Sequence, residues 1–227
     1  MFKYRFFQVI LAIAVVMLIV SSAVFISFQG MDISEAEYTS EMTGRTFEAD
    51  GADGSETALT EFEAWLEYSI IADGLKETGN NVDFDKGNVK LYDYNLTQLR
   101  QLKKVKDEAK RMMFLSVILL IIGFLAVKKR RMYECVVWGG VAASVIGMVS
   151  LILLAVSGSG IFYGVREMVF KGRYDVFFSG DDRLISLIPD NLGLRMFLIY
   201  TGVILAGLVI TIIVRLISWR KTQPHKF

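Results

Sequence analysis

The chain has 227 residues, 53% of them hydrophobic, and its 25 basic and 24 acidic side chains leave a formal net charge of +1. One cysteine excludes a disulfide within the chain and argues against a cysteine-based metal site. Four apolar stretches, 6–28, 112–127, 132–164 and 196–214, approach or exceed the roughly 20 residues that a helix needs to cross a bilayer. The composition therefore predicts an all-α membrane protein with four transmembrane helices and a small, mainly helical extracytoplasmic cap.

Three groups of basic residues flank these stretches, and all three fall on the same side of the membrane if there are four spans. Lysine and arginine near the ends of short loops tend to stay in the cytoplasm, so both termini are predicted to be cytoplasmic in a multi-pass protein of the plasma membrane. The first stretch is too long for the apolar region of a typical signal peptide and is expected to remain uncleaved. The flanking residues are Lys3, Arg5, Lys128, Lys129, Arg130, Arg131, Arg215, Arg220, Lys221 and Lys226.

This topology divides the chain into five parts. They are helix 1 with a cytoplasmic N terminus (1–28), an acidic-then-basic extracytoplasmic loop (29–111), helices 2 and 3 with a basic cytoplasmic turn (112–164), an aromatic extracytoplasmic loop (165–195), and helix 4 with a cytoplasmic tail (196–227).

The acidic half of the first outer loop predicts one turn-rich segment and one helix. Residues 43–57 are dominated by Gly, Ser, Thr and Asp, which is typical of a mobile turn. Residues 57–73 have helical periodicity, and Gly74 is a plausible C-cap. The residues expected on the apolar face of this helix are Leu59, Phe62, Leu66 and Ile70.

The basic half predicts a helix that begins at Asn95 and continues to Val127. Asn95 followed by Gln98 resembles a capping box. An apolar stripe and a set of cations are expected on opposite sides of the outer part of this helix. The cations interact either with headgroups by snorkelling or with a bound phosphate or carboxylate. The stripe is Leu96, Leu99, Leu102 and Val105, and the cations are Arg100, Lys103, Lys104, Lys106, Lys110 and Arg111.

The second outer loop is too rich in aromatic residues for a simple solvated connection. It is expected to cap the bundle or lie in the headgroup layer, with Arg166 or Glu167 paired to the first loop. Small residues at four-residue spacing predict close packing of helices 3 and 4. These are Gly139, Ala143 and Gly147 on helix 3, and Gly202 and Ala206 on helix 4.

Several functions are excluded or disfavoured by the sequence. The only histidine, His225, lies on the predicted cytoplasmic side and cannot serve a site on the outer face. The apolar stretches carry almost no ionisable residues, which argues against a pump or ion-coupled transporter. No motif supports nucleic-acid binding, a nucleotide or metal cofactor, or a serine hydrolase. No cofactor and no metal site are expected.

Four segments together resemble the lipoprotein intramolecular transacylases (Lit) and their integral-membrane relatives in Gram-positive bacteria. Trp65–Tyr68 resembles the family's Tyr-Leu pattern, and Gln101–Lys106 its H-x-x-D/E-V-K motif. Val165–Phe170 resembles F-H-x-x-x-F, and Asp182–Pro189 resembles D-x-L-I-x-x-x-P, the most specific of the four. The likeness extends over nearly the whole chain and implies a four-span membrane fold with two outer loops.

The resemblance implies a site for acyl transfer from the diacylglyceryl group of a lipoprotein's N-terminal cysteine to that cysteine's own amine. A base must take a proton from the amine, and an acid must return one to the glyceryl oxygen. Here the two histidine positions hold Gln101 and Arg166, and the acidic position holds Lys104. Glutamine cannot shuttle protons and arginine stays protonated, so the resemblance implies a divergent member that keeps the fold and loses the transfer.

Three functional hypotheses follow. The first is a Lit-like protein that binds a membrane lipid or lipidated protein at the outer face, through Lys103, Lys104, Arg166 and Arg173. The second is a non-catalytic subunit or scaffold for a membrane protein partner. The third is an active transacylase in which Glu167, Tyr163 or Asp175 replaces the histidines; whether the protein is an enzyme stays open.

Overall fold

A computed structural model describes residues 2–50, 56–77, 82–84, 86–89, 91–126, 129–155, 183–189 and 191–222. The helices are α1 (Phe2–Ser27), followed by a 3-10 turn (Phe28–Met31), α2 (Glu35–Met42), α3 (Glu61–Lys76), α4 (Asp93–Ala126), α5 (Lys129–Ala155), α6 (Arg183–Leu187) and α7 (Leu192–Thr222); strands β1 (Phe47–Asp50) and β2 (Glu56–Leu59) lie between α2 and α3.

Four of these helices are long and apolar enough to span a membrane: Phe6–Met31, Asp93–Ala126, Tyr133–Ser150 and Leu192–Ile217. The predicted all-α membrane fold is confirmed. The chain forms two compact units, which we call the bundle unit (Met1–Ile26, Glu108–Val156, Leu198–Phe227) and the cap unit (Ser27–Asp107, Ser157–Phe197).

In the bundle unit, glycines let the helices approach closely. A Cβ on Gly139 would lie 2.6 Å from Val15 Cβ and 2.7 Å from the Ala12 carbonyl oxygen, so α5 contacts α1 there. A Cβ on Gly147 would lie 2.6 Å from Ile204 Cγ2, so α5 contacts α7 further along. Because van der Waals packing rather than water drives helix association in lipid, these approaches determine the arrangement.

The order of the contacts gives the helix directions. Leu11 clusters with Cys135 and Val15 with Gly139, so α1 and α5 run parallel. The α5–α7 contacts run the other way, from Gly140 against Thr211 to Ser150, whose hydroxyl lies 3.3 Å from that of Tyr200. The N-terminal end of α1 and the C-terminal end of α7 therefore share one end of the bundle; that this end is cytoplasmic stays a prediction.

The predicted packing of helices 3 and 4 is correct only in part. Gly147 contacts α7, but Gly139 faces α1 and nothing lies within 4 Å of a Cβ on Gly202. Spacing alone identified small residues without identifying their neighbours, because each helix of a bundle has several sides.

In the cap unit, α3 buries the face opposite to the predicted one. A capping box starts the helix, with Glu63 N–H donating to Thr60 Oγ1 and the Glu63 carboxylate accepting from Thr60 N–H. Phe62 and Leu66, which were expected to face inward, are 48% and 40% exposed. The buried residues of α3 are Ala64, Glu67, Tyr68, Ile71, Ala72, Gly74 and Leu75.

Two other predictions for this region are corrected by the structure. Within the predicted mobile segment 43–57, β1 and the first residues of β2 are regular strands that pair antiparallel, with Phe47 opposite Leu59 and Asp50 opposite Glu56. Gly74 is not a C-cap, since α3 continues to Lys76. A Cβ on Gly74 would lie 2.7 Å from the Phe84 ring, so the glycine provides room for that aromatic side chain.

Candidate functional site

The outer part of α4, which carries the predicted anion-binding cations, begins two residues earlier than predicted. Tyr92 is its N-cap, because the Leu96 N–H donates to the Tyr92 carbonyl. Asn95 is the third residue of the helix, and its Oδ1 accepts from the Tyr92 N–H at 3.2 Å. The Asn95 side chain, although inside the helix, thus accepts a hydrogen bond from the backbone N–H of the residue that precedes the helix; Asn95 is not the N-cap that was predicted.

Two lysines of α4 point into the cap unit and bind the end of α3. Lys103 is 5% exposed, and its Nζ donates to the carbonyls of Gly74 (3.2 Å) and Glu77 (2.8 Å). Lys106 is 2% exposed and donates to the carbonyls of Leu75 (2.6 Å), Lys76 (2.6 Å) and Glu77 (2.8 Å). The last carbonyls of a helix lack partners and carry partial negative charge, so two buried ammonium groups stabilise the α3 C terminus.

This geometry separates the described cations of the predicted anion site. The Lys103 ammonium donates to backbone carbonyls, whereas Lys104 is exposed. Two members of the predicted set, Arg166 and Arg173, lie outside the described residues. Of that set, Lys104 is the described residue with a solvent-accessible charge, and anion binding there stays a proposal.

Gln101, at the family's first histidine position, is half-buried on α4. Its predicted neighbour Arg166 lies outside the described residues, as do the candidate substitutes Tyr163, Glu167 and Asp175. The predicted juxtaposition of Gln101 and Arg166 therefore stays a prediction.

Gln98 is a buried polar residue, and its burial was not predicted from the sequence. Its side chain is 6% exposed, and the amide nitrogen Nε2 is buried without a hydrogen-bond partner in the described part of the chain. It was interpreted as the partner of Asn95 in a capping box. Because α4 begins at Asp93, Gln98 belongs to the second turn and lies one turn before Gln101.

The Trp65–Tyr68 motif binds two separate backbone segments, residues 31–33 and residue 88. Trp65 Nε1 donates to the Ile33 carbonyl at 3.3 Å, and the Tyr68 hydroxyl donates to the Met31 carbonyl at 2.7 Å. The buried Glu67 carboxylate accepts from the Asn88 N–H at 2.6 Å. A Cβ on the adjacent Gly87 would overlap this carboxylate, so the glycine is required for the approach.

The Asp182–Pro189 segment, the most specific of the four motifs, also packs into the cap unit. Its described residues include α6, and Leu184, Leu187 and Pro189 are buried. The Tyr38 hydroxyl donates to the Leu187 carbonyl at 2.9 Å. This motif therefore places the segment that leads into α7 by burial and by a hydrogen bond to its backbone.

Tyr38 and Tyr68 form the aromatic centre of the cap unit, with ring centroids 5.3 Å apart. Burial raises the pKa of the Tyr38 hydroxyl well above its usual value, and the positive charge of Arg45 acts in the opposite direction. Burial likewise raises the pKa of the Tyr68 hydroxyl. Both phenols stay protonated near neutral pH and act as hydrogen-bond donors, not as bases.

Ion pairs join residues 32–37 to the beginning of α7 and to the end of α3. Arg195 Nη1 donates to Glu37 Oε1 at 2.5 Å, and Nη2 donates to the Asp32 carbonyl at 3.1 Å. Lys76 Nζ lies 3.2 Å from Asp32 and 2.9 Å from Asp73. Among the described residues, no three histidine, cysteine or acidic side chains are grouped so as to hold a metal ion.

No protein-family model matches the chain, and no curated protein matches it. Two solved structures do. One is the membrane-integral lipoprotein intramolecular transacylase Lit from Bacillus cereus, with a TM-score of 0.72, 12% identity and 97% of each chain covered. The other is a variant of the same protein in which a histidine is replaced by arginine, with a TM-score of 0.70, 12% identity and 97% of this chain and 93% of that chain covered. The chain thus has a Lit-like fold and is a multi-pass membrane protein.

Proposed function

We propose that this protein is a Lit-like membrane protein that binds a lipid or a lipidated protein at the outer face of the plasma membrane and no longer transfers acyl groups. The observation that carries this proposal is the fold similarity to Lit over 97% of the chain, which includes the cap unit as well as the spans. A fold kept over this length at 12% identity supports a retained binding surface.

The chemistry of α4 supports the loss of transfer. Intramolecular transfer breaks the glyceryl ester and forms an amide, while a proton moves from the amine to the glyceryl oxygen, so a group that exchanges protons is needed. Gln101 stands where the Lit-like motif has one histidine, and its amide cannot exchange protons near neutral pH.

Gln98 supports the retention of binding. Its Nε2 is a buried donor without an acceptor in the described part of the chain, and leaving a buried donor unpaired costs about 1–3 kcal/mol. An ester carbonyl of a bound lipid would provide that acceptor. A donor of this kind fixes an acyl ester in place without taking part in proton transfer.

The test uses the purified protein in nanodiscs and a synthetic diacylglyceryl-cysteine lipopeptide. Acyl transfer within one molecule leaves its mass unchanged, so fragmentation of the N terminus must distinguish the N-acylated product from the substrate. We expect binding without conversion, and about tenfold weaker binding by Gln98→Leu than by the control Gln29→Leu, which changes an exposed glutamine of the cap unit.

Two outcomes would contradict this proposal. N-acylated product formed by the unmodified protein would support an active transacylase and direct attention to Tyr163, Glu167 and Asp175. Absence of lipopeptide and lipid binding would favour a scaffold.

The scaffold alternative has one observation in its favour, the exposed apolar face of α3. Phe62 is 48% exposed and Leu66 is 40% exposed, and the Phe62 ring lies 5.9 Å from that of Trp65. Exposed aromatic groups of this kind are enriched at protein interfaces. If α3 docks a membrane protein, that protein should co-elute in mild detergent and be lost in Phe62→Ser but not in Glu61→Ser.

A further inference from the structure

A groove of about 380 Å³ lies in the bundle unit between α1 and α5. Its walls combine a carboxylate, an amide and an indole with a short apolar floor. The lining residues are Gln8, Val9, Ala12, Glu134, Cys135 and Trp138.

The shape of this groove follows from the packing of α1 on α5. A Cβ on Gly139 would lie 2.7 Å from the Ala12 carbonyl oxygen, so the two helices approach closely one turn after Cys135. Cys135 is buried beside Leu11, which gives the groove an apolar base. Small side chains thus leave a recess at the level where α1 and α5 begin.

The polar groups of the groove are ordered along the helix axis. Glu134 is exposed at the beginning of the Tyr133–Ser150 span, and Trp138 lies one turn deeper, about 6 Å along the helix. The Trp138 side chain is 71% exposed. With Tyr133–Ser150 as the membrane span, the charged group is expected at headgroup level and the aromatic and apolar groups at the level of the upper acyl chain.

A carboxylate at this position attracts cations. Glu134 is an exposed acidic residue that follows the basic residues 128–131 at this end of the bundle. An indole face attracts ammonium groups, and a carboxylate and a glutamine oxygen accept hydrogen bonds from them. A primary ammonium on an amphiphile matches all three groups.

We propose that this groove binds a phospholipid with a primary-ammonium headgroup, of the phosphatidylethanolamine type. The ammonium donates to the Glu134 carboxylate and the Gln8 side-chain oxygen, and one acyl chain follows Val9, Ala12 and Trp138. The site lies at the end of the bundle that holds the α1 N terminus, and it does not depend on the function proposed for the cap unit.

The experiment is lipid retention by the full-length protein, purified from nanodiscs with equal amounts of phosphatidylethanolamine, phosphatidylglycerol and phosphatidylcholine, and measured by native mass spectrometry. We expect about tenfold enrichment of phosphatidylethanolamine over phosphatidylglycerol. Phosphatidylcholine should be intermediate, because its quaternary ammonium keeps the indole contact but cannot donate hydrogen bonds.

Variants assign the preference to this groove. Glu134→Gln should abolish the enrichment and Trp138→Ala should reduce it. Glu108→Gln, which removes an exposed carboxylate paired with Arg111 on α4, should leave it unchanged. Equal thermal midpoints of Glu134→Gln and the unmodified protein exclude misfolding as the cause.

Three results would overturn the proposal. They are equal retention of the three lipids by the unmodified protein, full enrichment by Glu134→Gln, and a co-purified membrane protein that replaces the lipid and is lost in Glu134→Gln. The last result would identify the groove as a contact for a partner helix.

Discussion

The cap unit and the bundle unit follow opposite rules for polar and apolar side chains. In the bundle unit the exposed surface is apolar, and glycines such as Gly139 and Gly147 lie where helices meet. In the cap unit Lys103 and Lys106 are buried, while Leu102 and Val105 of the same helix are exposed. A helix bundle in lipid is held together by close backbone approach, whereas the cap unit must also satisfy the backbone groups at its helix ends.

The sharpest test of this difference is the removal of Lys106, the most deeply buried cation of the cap unit. Lys106→Met keeps the aliphatic stem but leaves three carbonyls of the α3 C terminus without this donor. We expect the free energy of unfolding to fall by about 3 kcal/mol, since buried acceptors lose charged partners. Thermal unfolding in detergent measures the effect.

The control is Lys104→Met, which removes an exposed charge two residues away and should change stability by less than about 0.5 kcal/mol. Equal effects of the two variants would contradict the capping role of Lys106 and restore a common anion site as the better explanation.

The second test concerns the bundle unit. Gly139→Ala adds a methyl group 2.7 Å from a backbone oxygen that cannot move independently, so we expect a loss of about 2 kcal/mol. Gly202→Ala has open space and should be neutral or slightly stabilising, since alanine has the higher helix propensity. If the two alanines have the same effect in unfolding titrations, close approach does not determine the packing of α1 on α5.

The third test concerns the two buried phenols of the cap unit. Tyr38→Phe and Tyr68→Phe each remove one hydrogen bond to a backbone carbonyl, for an expected loss of about 1 kcal/mol. The two rings should remain packed, so near-ultraviolet circular dichroism of the variants should stay close to that of the unmodified protein.

These phenols also predict a pH dependence. Burial raises the pKa of both hydroxyls in the folded state above the unfolded value of about 10. Their contribution to stability is complete below that value and is lost as pH rises above it, because the unfolded state releases its protons first. The double phenylalanine variant should lose less stability than the unmodified protein between about pH 10 and pH 11; an identical alkaline slope would contradict this.

The smallest expected effect comes from Lys76 on the surface of the cap unit. Partial burial opposes its charged form, but hydrogen bonds to Asp73 and Asp32 outweigh this and raise the pKa of the ammonium. Lys76→Met should cost about 0.5 kcal/mol in low salt and less at 0.5 M salt, because exposed pairs are screened. The contribution of these ion pairs to stability is present below the usual lysine pKa and disappears as pH rises through the raised pKa of Lys76. A stability cost of Lys76→Met that is unchanged by salt would show that Lys76 acts through packing.

Helices α3 and α4 show which features of the cap unit the sequence predicts. Periodicity located both helices, and the long helix from the first outer loop into the second span was predicted within two residues at its start. Periodicity did not identify the buried faces. On α3 both faces carry apolar residues, and on α4 the cations at 103 and 106 turn inward because the end of α3 lies there.

In the candidate site, too, the sequence predicted the position of a residue on its helix but not its burial. The motif residue Gln101 was located on the expected helix, and its chemistry follows from residue type alone. Gln98 was missed, since an unpaired buried donor is visible only when all its neighbours are in place.

The membrane environment, the number of spans and the absence of histidine from the predicted outer side follow from the sequence alone. Hydropathy and residue identity do not depend on the fold. The tertiary structure was needed to show which lysines are buried, which glycine contacts which helix and which apolar face of α3 is exposed. These depend on the neighbours that each side chain meets, and a linear pattern with a single period contains no information about them.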